Sequence, residues 1–538
     1  MNAHTCQHYA DFMKRRDVSW IFCICCALFV IGMGLTFQAP WVDWDASDYI
    51  NVAENIVHGK GIVSGWESDN IHAFWPLTVW PPLYPILIAA FMMVGFTSVN
   101  AAMWIPILSL AGIVIVSFFF GRDLDSPITG YLWAICCLSL SSFWEMTRWA
   151  MTEMPYIFFS FLGLYLLLRF LNSRDNWFIL LSALFCGAGA VTRYMGVTLI
   201  LTGVLILAIQ SCKKPKDRIK QILIFGIISS IPVSLVFLRN IIYKGQFSGA
   251  DRGSGSGSFL GTTNDIVHVT LSDLNPFRSL TSSVVSFGLE ILILLSLVII
   301  AIFLLYGVYF SNKNQFKNTA KKFLYDKRIV IAYTLIYVIS LLVLEIGMGD
   351  IASIQTRYLL PVYPFIVVLL FSFMRGACAH MGYRVWKIVC MFICTILVLS
   401  FFSSQIIGAI PVISDKGGKS YTDPSWYNEP VEEYQWLMEN TPHGAEIFSN
   451  NPRALQLHMS RLIIPLPERD NTAYAKKLLS KLNPGQMIVS LNGKKSTDQY
   501  MNADEFFSYN KNFSSPAVFK PVFSTRDAEV YQVVSPAS

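Results

Sequence analysis

Three carboxylates fall within six positions in the stretch WVDWDASDYINVAENI: Asp43, Asp45 and Asp48. A carboxylate partly withdrawn from water gains proton affinity and can take the proton of an attacking hydroxyl or amine. Asp45 and Asp48 stand at i and i+3, so on a helix they share a face. The same residues also read as a helix start, because acids in a first turn are favoured by the helix dipole. Taken alone, the stretch supports both a base and a cap.

Further along, SFWEMTRWAMTEMP (residues 142–155) carries Glu145, Arg148 and Glu153. Glu153 is either an acid that orients a substrate or a first-turn acid of a helix opened by Pro155 at its first position. Arg193, in GAGAVTRYMG, sits between two apolar segments with almost no loop. A charge at membrane depth costs roughly 2.5–3.5 kcal/mol on insertion scales, so it faces a cavity or partner, or snorkels to the surface. Arg239 in FLRNIIYKG and Arg357 in QTRYLLPVYP also flank span ends. Guanidinium stays charged and binds phosphate bidentately, so these arginines suit an anionic substrate. Asp48, Arg193, Arg239, Arg357, Tyr358 and His72 form the candidate substrate-binding set; Asp45 and Glu153 are the candidate catalytic pair. No Walker loop, HExxH or GxSxG occurs, so nothing points to a nucleotide-driven pump, a zinc protease or a serine hydrolase.

Positioning these groups falls to a chain of 538 residues with 54% hydrophobic and only 14% charged residues. That balance, with recurrent apolar runs of about 18 residues or more, specifies a polytopic α-helical membrane protein. The net charge of +6 does not imply nucleic acid, since Lys and Arg cluster in short loops. KRR (14–16), KKPKDRIK (213–220), NKNQFKNTAKKFLYDKR (312–328) and RGACAHMGYRVWK (375–387) are expected in the cytoplasm. Eleven spans satisfy this: 20–37, 101–120, 127–143, 154–171, 177–191, 194–211, 219–238, 287–310, 329–346, 358–374 and 388–409. PPLYPILIAAFMMVGF (81–96) is short and opens with two prolines; it is read as a re-entrant or interfacial helix. Asp45 then begins a long outer loop, and Glu153, Arg193, Arg239 and Arg357 lie at outer span ends. The basic N-terminal flank lacks an A-x-A-like cleavage site, so the first span is expected to be retained. The eleven cysteines all fall in spans or cytoplasmic loops, which argues against a disulfide framework, and none has zinc-site spacing.

The last part of the chain is different. Residues 1–409 read as the transmembrane domain and 410–538 as an extracytoplasmic one, in which helical and strand patterns alternate. PVEEYQWLMENT, RALQLHM and AYAKKLLSKL read as helices; AEIFSN, RLIIPL, QMIVSL and AEVYQVV read as strands. Such alternation gives a small α/β domain with a partly parallel sheet. There is no internal repeat of the kind inverted-repeat transporters carry.

Six short motifs in order resemble one family: DASDYINVAENIVHGKGI, WPPLYPILIAA, TEMPYIFFSFLGLYLLLRF, GAGAVTRYMGV, FLRNIIYKG and RYLLPVYPFIVVLL. Together they resemble the GT-C fold glycosyltransferases that use polyprenyl-phosphate sugars, a group that includes protein mannosyltransferases and aminoarabinose transferases. The resemblance covers roughly residues 20–375 and implies sugar transfer to a lipid, glycan or protein acceptor outside the cytoplasm, with inversion. It makes Asp45, four residues before Tyr49, the catalytic base, and Glu153 the acid of the second outer loop that arranges the acceptor or a metal. It makes Arg239 and Arg357 candidates for the lipid phosphate. Asp43 and Asp48 crowd Asp45, so the choice among the three stays open. Ala46 stands where many members carry a second acid, which leaves a divalent metal an open element. The rival reading is a transporter or flippase of a lipid-linked phosphate; a phosphate or phosphoethanolamine transferase would need an outer metal cluster.

Overall fold

The computed structural model describes residues 3–42, 44–64, 75–210, 215–250, 258–275, 321–347, 354–380, 384–415, 432–442, 445–452, 455, 463–469, 471–491, 501–511, 517–526 and 528–535. His72, Asp43, the expected span 287–310 and most of RALQLHM lie outside them. Contacts divide the chain into one unit of residues 1–36, 106–148 and 152–415 and another of 37–105, 149–151 and 416–538.

Helices dominate the first unit. Four described helices are long and apolar enough to cross a membrane: α4 (Ser98–Leu124, which begins in the other unit), α7 (Glu153–Ser173), α10 (Pro215–Lys244) and α12 (Arg328–Gly347). At 1.5 Å per residue, α4 is about 40 Å long, more than the hydrocarbon thickness. The pair α5 (Pro127–Ser139) and α6 (Ser141–Arg148) passes the same test as one path bent by 52°. Shorter apolar helices coincide with other expected spans: Val18–Gly34 within α1 (Ala3–Gly34), α8 (Asn176–Thr192), and Tyr194–Ile209, which contains α9 (Val197–Ile209). The same holds for Tyr363–Phe373 within α14 (Tyr363–His380) and Val398–Ser414 within α15 (Arg384–Ser414). Among the described residues the unit also holds two shorter helices, α11 (Phe259–Asp273) and the four-residue α13 (Thr356–Leu359). The chain is an integral membrane protein.

Small residues let the helices touch. A Cβ on Gly121 of α4 would sit 2.9 Å from the Gly130 Cα of α5, and one on Gly130 2.5 Å from the Phe118 carbonyl. Close approach through glycine is how membrane helices gain dispersion contacts without a hydrophobic drive between them. At the end of α4, Asp123 pairs with Arg122 at 2.7 Å and with Arg169 of α7 at 3.2 Å. Lys327, 3% exposed, reaches Asp125 at 3.2 Å and donates to the Leu124 carbonyl at 3.0 Å. This ionic knot fixes the start of α12. Arg169 lies about 24 Å along α7 from Glu153, so the knot is at the other end of that helix.

In the second unit, α2 (Trp44–Val57) packs on α3 (Leu83–Met93) and the first turns of α4. Val42, Ala46, Tyr49, Ile50 and Ala53 make the apolar stripe, against Tyr84, Ile88 and Ala102. The Tyr84 hydroxyl donates to the Ala102 carbonyl at 2.9 Å. With eleven residues α3 is about 16 Å long, half a bilayer core. Strands β1 (Val63–Ser64) and β2 (Trp75–Pro76) pair antiparallel beside α2.

Residues 432–535 of this unit contain a five-stranded sheet in the order β4-β3-β5-β7-β6. Strands β3 (Ile447–Ser449), β4 (Ile463–Pro465) and β5 (Met487–Leu491) are parallel; β7 (Ala528–Ser535) runs antiparallel to β5 and to β6 (Val518–Ser524). On β5, Met487, Val489 and Leu491 face one core with Leu437 of α16 (Glu432–Asn440). Ile488 faces the other, with Leu478 of α17 (Thr472–Leu479) and Phe506 of α18 (Ala503–Asn510). Both faces are covered, which is why MIVSL shows no polar alternation. Two of these elements, α18 and β6, have no counterpart in the sequence reading. β6 is an edge strand, mostly exposed, bulged, and interrupted by Pro521, a residue confined to such edges.

Candidate active site

Asp45 is in the first turn of α2, where the dipole favours a negative charge, and is half-buried. Asp48 is fully buried one turn on. The face of α2 opposite its apolar stripe carries Asp48, Asn51 and Asn55, all buried. Asn55 Nδ2 donates to Asn51 Oδ1 at 3.1 Å and to the Val63 carbonyl at 3.0 Å, which ties this polar face to β1. Glu54 accepts from Ser98 Oγ at 2.7 Å at the start of α4. The two aspartates are thus held on one rigid helix with a fixed rotational setting.

Glu153, Arg193, Arg239, Arg357 and Tyr358 belong to the first unit. Glu153 is the first residue of α7 and is 1% exposed; Pro155 is the third helical residue, not the first as expected. Proline is tolerated there because first-turn N–H groups have no intrahelical acceptor. Arg193 is the break between α8 and the turn Tyr194–Gly196, with extended backbone at φ −144°, ψ 138°. That extended residue throws its side chain off the α8 axis toward α7. Its Nη1 lies 2.6 Å from Glu153 Oε1 and donates to Thr152 Oγ1 at 2.9 Å. The break itself depends on Gly196, where a Cβ would sit 2.4 Å from the Gly189 carbonyl oxygen of the last turn of α8.

Arg239 joins this cluster through Asn240. Its Nη2 donates to Asn240 Oδ1 at 3.1 Å, and Asn240 Nδ2 donates to the Tyr194 hydroxyl at 2.9 Å and the Phe247 carbonyl at 3.1 Å. Tyr194 stacks on Phe237 of α10, centroids 5.7 Å apart. Arg357 and Tyr358, on α13, are paired with each other: Nη2 donates to the Tyr358 hydroxyl at 3.1 Å, and the guanidinium lies 5.0 Å from the ring centroid. Within this unit the structure brings Glu153 and Arg193 into direct contact and links Arg239 to the residue beside Arg193. Among the described residues, no group of three or more His, Cys, Asp or Glu side chains could hold a metal ion.

Sequence reasoning missed the tyrosines. Tyr156, Tyr333 and Tyr337 are buried among apolar side chains, and the Tyr156 and Tyr333 hydroxyls are 3.2 Å apart. Their spacing was a signal: Tyr156 follows Glu153 by three residues and Tyr337 follows Tyr333 by four, each pair on one helix face. A buried phenol needs a partner, which makes such a pair worth noting in a span.

Residues 79–237 match the family model of the dolichyl-phosphate-mannose-protein mannosyltransferases. No curated protein matches the sequence. Among solved structures, the chain is similar to ArnT from Cupriavidus metallidurans bound to undecaprenyl phosphate, with TM-score 0.57 and 11% identity over 96% of this chain and 98% of that one. The same protein in the apo state gives TM-score 0.57 and 10% identity over the same shares. It is also similar to the archaeal oligosaccharyltransferase AglB from Archaeoglobus fulgidus, in complex with an inhibitory peptide and a dolichol-phosphate, at TM-score 0.51 and 13% identity over 89% of this chain and 70% of that one.

Proposed function

We infer that this chain, whose fold is that of the GT-C membrane glycosyltransferases, moves a sugar from a polyprenyl-phosphate donor to an acceptor outside the cytoplasm. The observation that carries the reading is the Glu153–Arg193 pair, which lies within the mannosyltransferase match over residues 79–237, with Arg239 linked to it just beyond the end of that match. The relatives hold undecaprenyl phosphate or dolichol-phosphate, which is the chemistry these arginines suit. This fold also favours an enzyme over the transporter alternative.

The acceptor hydroxyl or amine attacks the anomeric carbon as the bond from that carbon to the phosphate oxygen breaks, with inversion. Asp45 takes the acceptor's proton. Arg357 and Arg239 stabilise the charge that grows on the leaving polyprenyl phosphate. Glu153, fixed by Arg193, orients the acceptor; Asp48, Tyr358 and His72 contribute to substrate binding. A divalent metal remains an open element, and the acceptor is a lipid, glycan or protein. No nucleic acid takes part. Removing the Arg357 guanidinium should raise the donor KM at least tenfold, since a charge-assisted hydrogen bond contributes about 1.5–3 kcal/mol. Assays of Arg357→Ala in proteoliposomes check this, and an unchanged donor KM removes the phosphate role.

The proposed setting is the cell (inner or plasma) membrane with eleven crossings, the N-terminus in the cytoplasm and residues 410–538 as an extracytoplasmic domain beside the catalytic domain 1–409. Ser480, exposed after α17, gives a test. In a variant whose native cysteines are replaced, Ser480→Cys should react with an impermeant maleimide on intact cells. Labelling that appears only after lysis reverses the orientation.

A further inference from the structure

We propose that the Tyr337 hydroxyl is a positioning group that fixes the turn carrying Arg357, so that Arg357 meets the donor phosphate in one arrangement. The inference rests on the reading of Arg357 as a phosphate ligand. Tyr337 is 2% exposed on α12, and its hydroxyl donates to the Tyr358 carbonyl at 2.8 Å. Helix α13 has four residues, too few to be stable through its own hydrogen bonds. Its place is therefore set from outside, by packing on α6 and α11 and by this tether from a span. Arg357 follows, because its guanidinium bonds to and lies over the side chain of Tyr358.

The other end of the tether is equally defined. Tyr337 lies within electrostatic reach of Glu153 and Arg193. One turn earlier, Tyr333 meets Tyr156 of α7 at 3.2 Å, hydroxyl to hydroxyl, and packs its ring 5.1 Å from Phe365 of α14. Tyr156 stands one turn along α7 from Glu153. So α12 is keyed to the helix that bears Glu153 at one residue and to the turn that bears Arg357 at the next of the same face. Deleting a buried hydroxyl keeps the ring and its packing and removes only the tether.

The test uses the full-length protein in detergent and undecaprenyl phosphate as probe. Tyr337→Phe should raise the Kd for that lipid and the donor KM about tenfold, the effect of one lost hydrogen bond, with kcat little changed. In the Arg357→Ala background the same change should add nothing, because the group it positions is gone. Unchanged lipid affinity in Tyr337→Phe, with Arg357→Ala weakened, overturns the inference and leaves the phosphate role standing. An additive loss in the double variant also overturns it, as general destabilisation. If Arg357→Ala binds the lipid normally, the phosphate reading itself has failed, and the inference with it.

Discussion

Asp45→Asn should lower sugar transfer by roughly 10³-fold, the usual contribution of a positioned base, while the protein still folds and inserts. The argument separates a base from a cap by size and by readout. Asp45 is within the first turn of α2, so losing its charge costs helix stability only about 0.3–1 kcal/mol. A capping acid would therefore show a small loss of thermal stability and near-normal turnover. A base shows the reverse, because asparagine keeps the shape and cannot accept the proton. The position suits a base: Asp45 is half-buried in the first turn of α2, where the helix dipole favours the charged form that accepts a proton. Asp48 is the internal comparison. It is fully buried on the polar face with Asn51 and Asn55, just past the first turn in which the dipole acts. Asp48→Asn should cost stability and less turnover. If instead Asp48→Asn abolishes transfer and Asp45→Asn does not, the two aspartates exchange roles.

Much of this architecture was legible because it follows from rules that act locally. Hydropathy over about twenty residues marks a span whatever surrounds it, so α4, α7, α10 and α12 coincide with expected segments. The two prolines before Tyr84 and the shortness of the run that follows pointed to a short helix, and α3 has eleven residues. Arg193 stood out because a charge at that depth demands a reason. What could not be read is which reason: its partner, Glu153, lies forty positions earlier, and only the packing of α7 against α8 brings them together. The same holds for Tyr337 and the Tyr358 carbonyl, since a backbone acceptor leaves no mark in the residue sequence. The edge strand β6 was missed for the opposite reason. Its exposure and Pro521 hide the alternation by which strands are recognised.

Charge removal at the buried pair should be strongly asymmetric. Glu153 is 1% exposed and the Arg193 side chain 21%, so the two partners lose different things when left alone. Arg193→Met strands a carboxylate out of water, and breaking a buried pair in this way costs about 3–5 kcal/mol. Glu153→Gln leaves a guanidinium that water still reaches and that keeps its hydrogen bond to Thr152, so its stability cost should be clearly smaller. Thermal unfolding of the two variants in detergent gives the comparison; equal shifts would contradict the geometry. The double variant Arg193→Met/Glu153→Gln then separates scaffold from site. With both charges gone no buried charge is left unpaired, only the new amide at position 153, and most of the stability lost in Arg193→Met should return. Turnover should not return with it if Arg193 faces the donor and Glu153 the acceptor. A double variant that regains both stability and sugar transfer would reduce the pair to a structural brace and move the search for the acceptor-binding acid elsewhere.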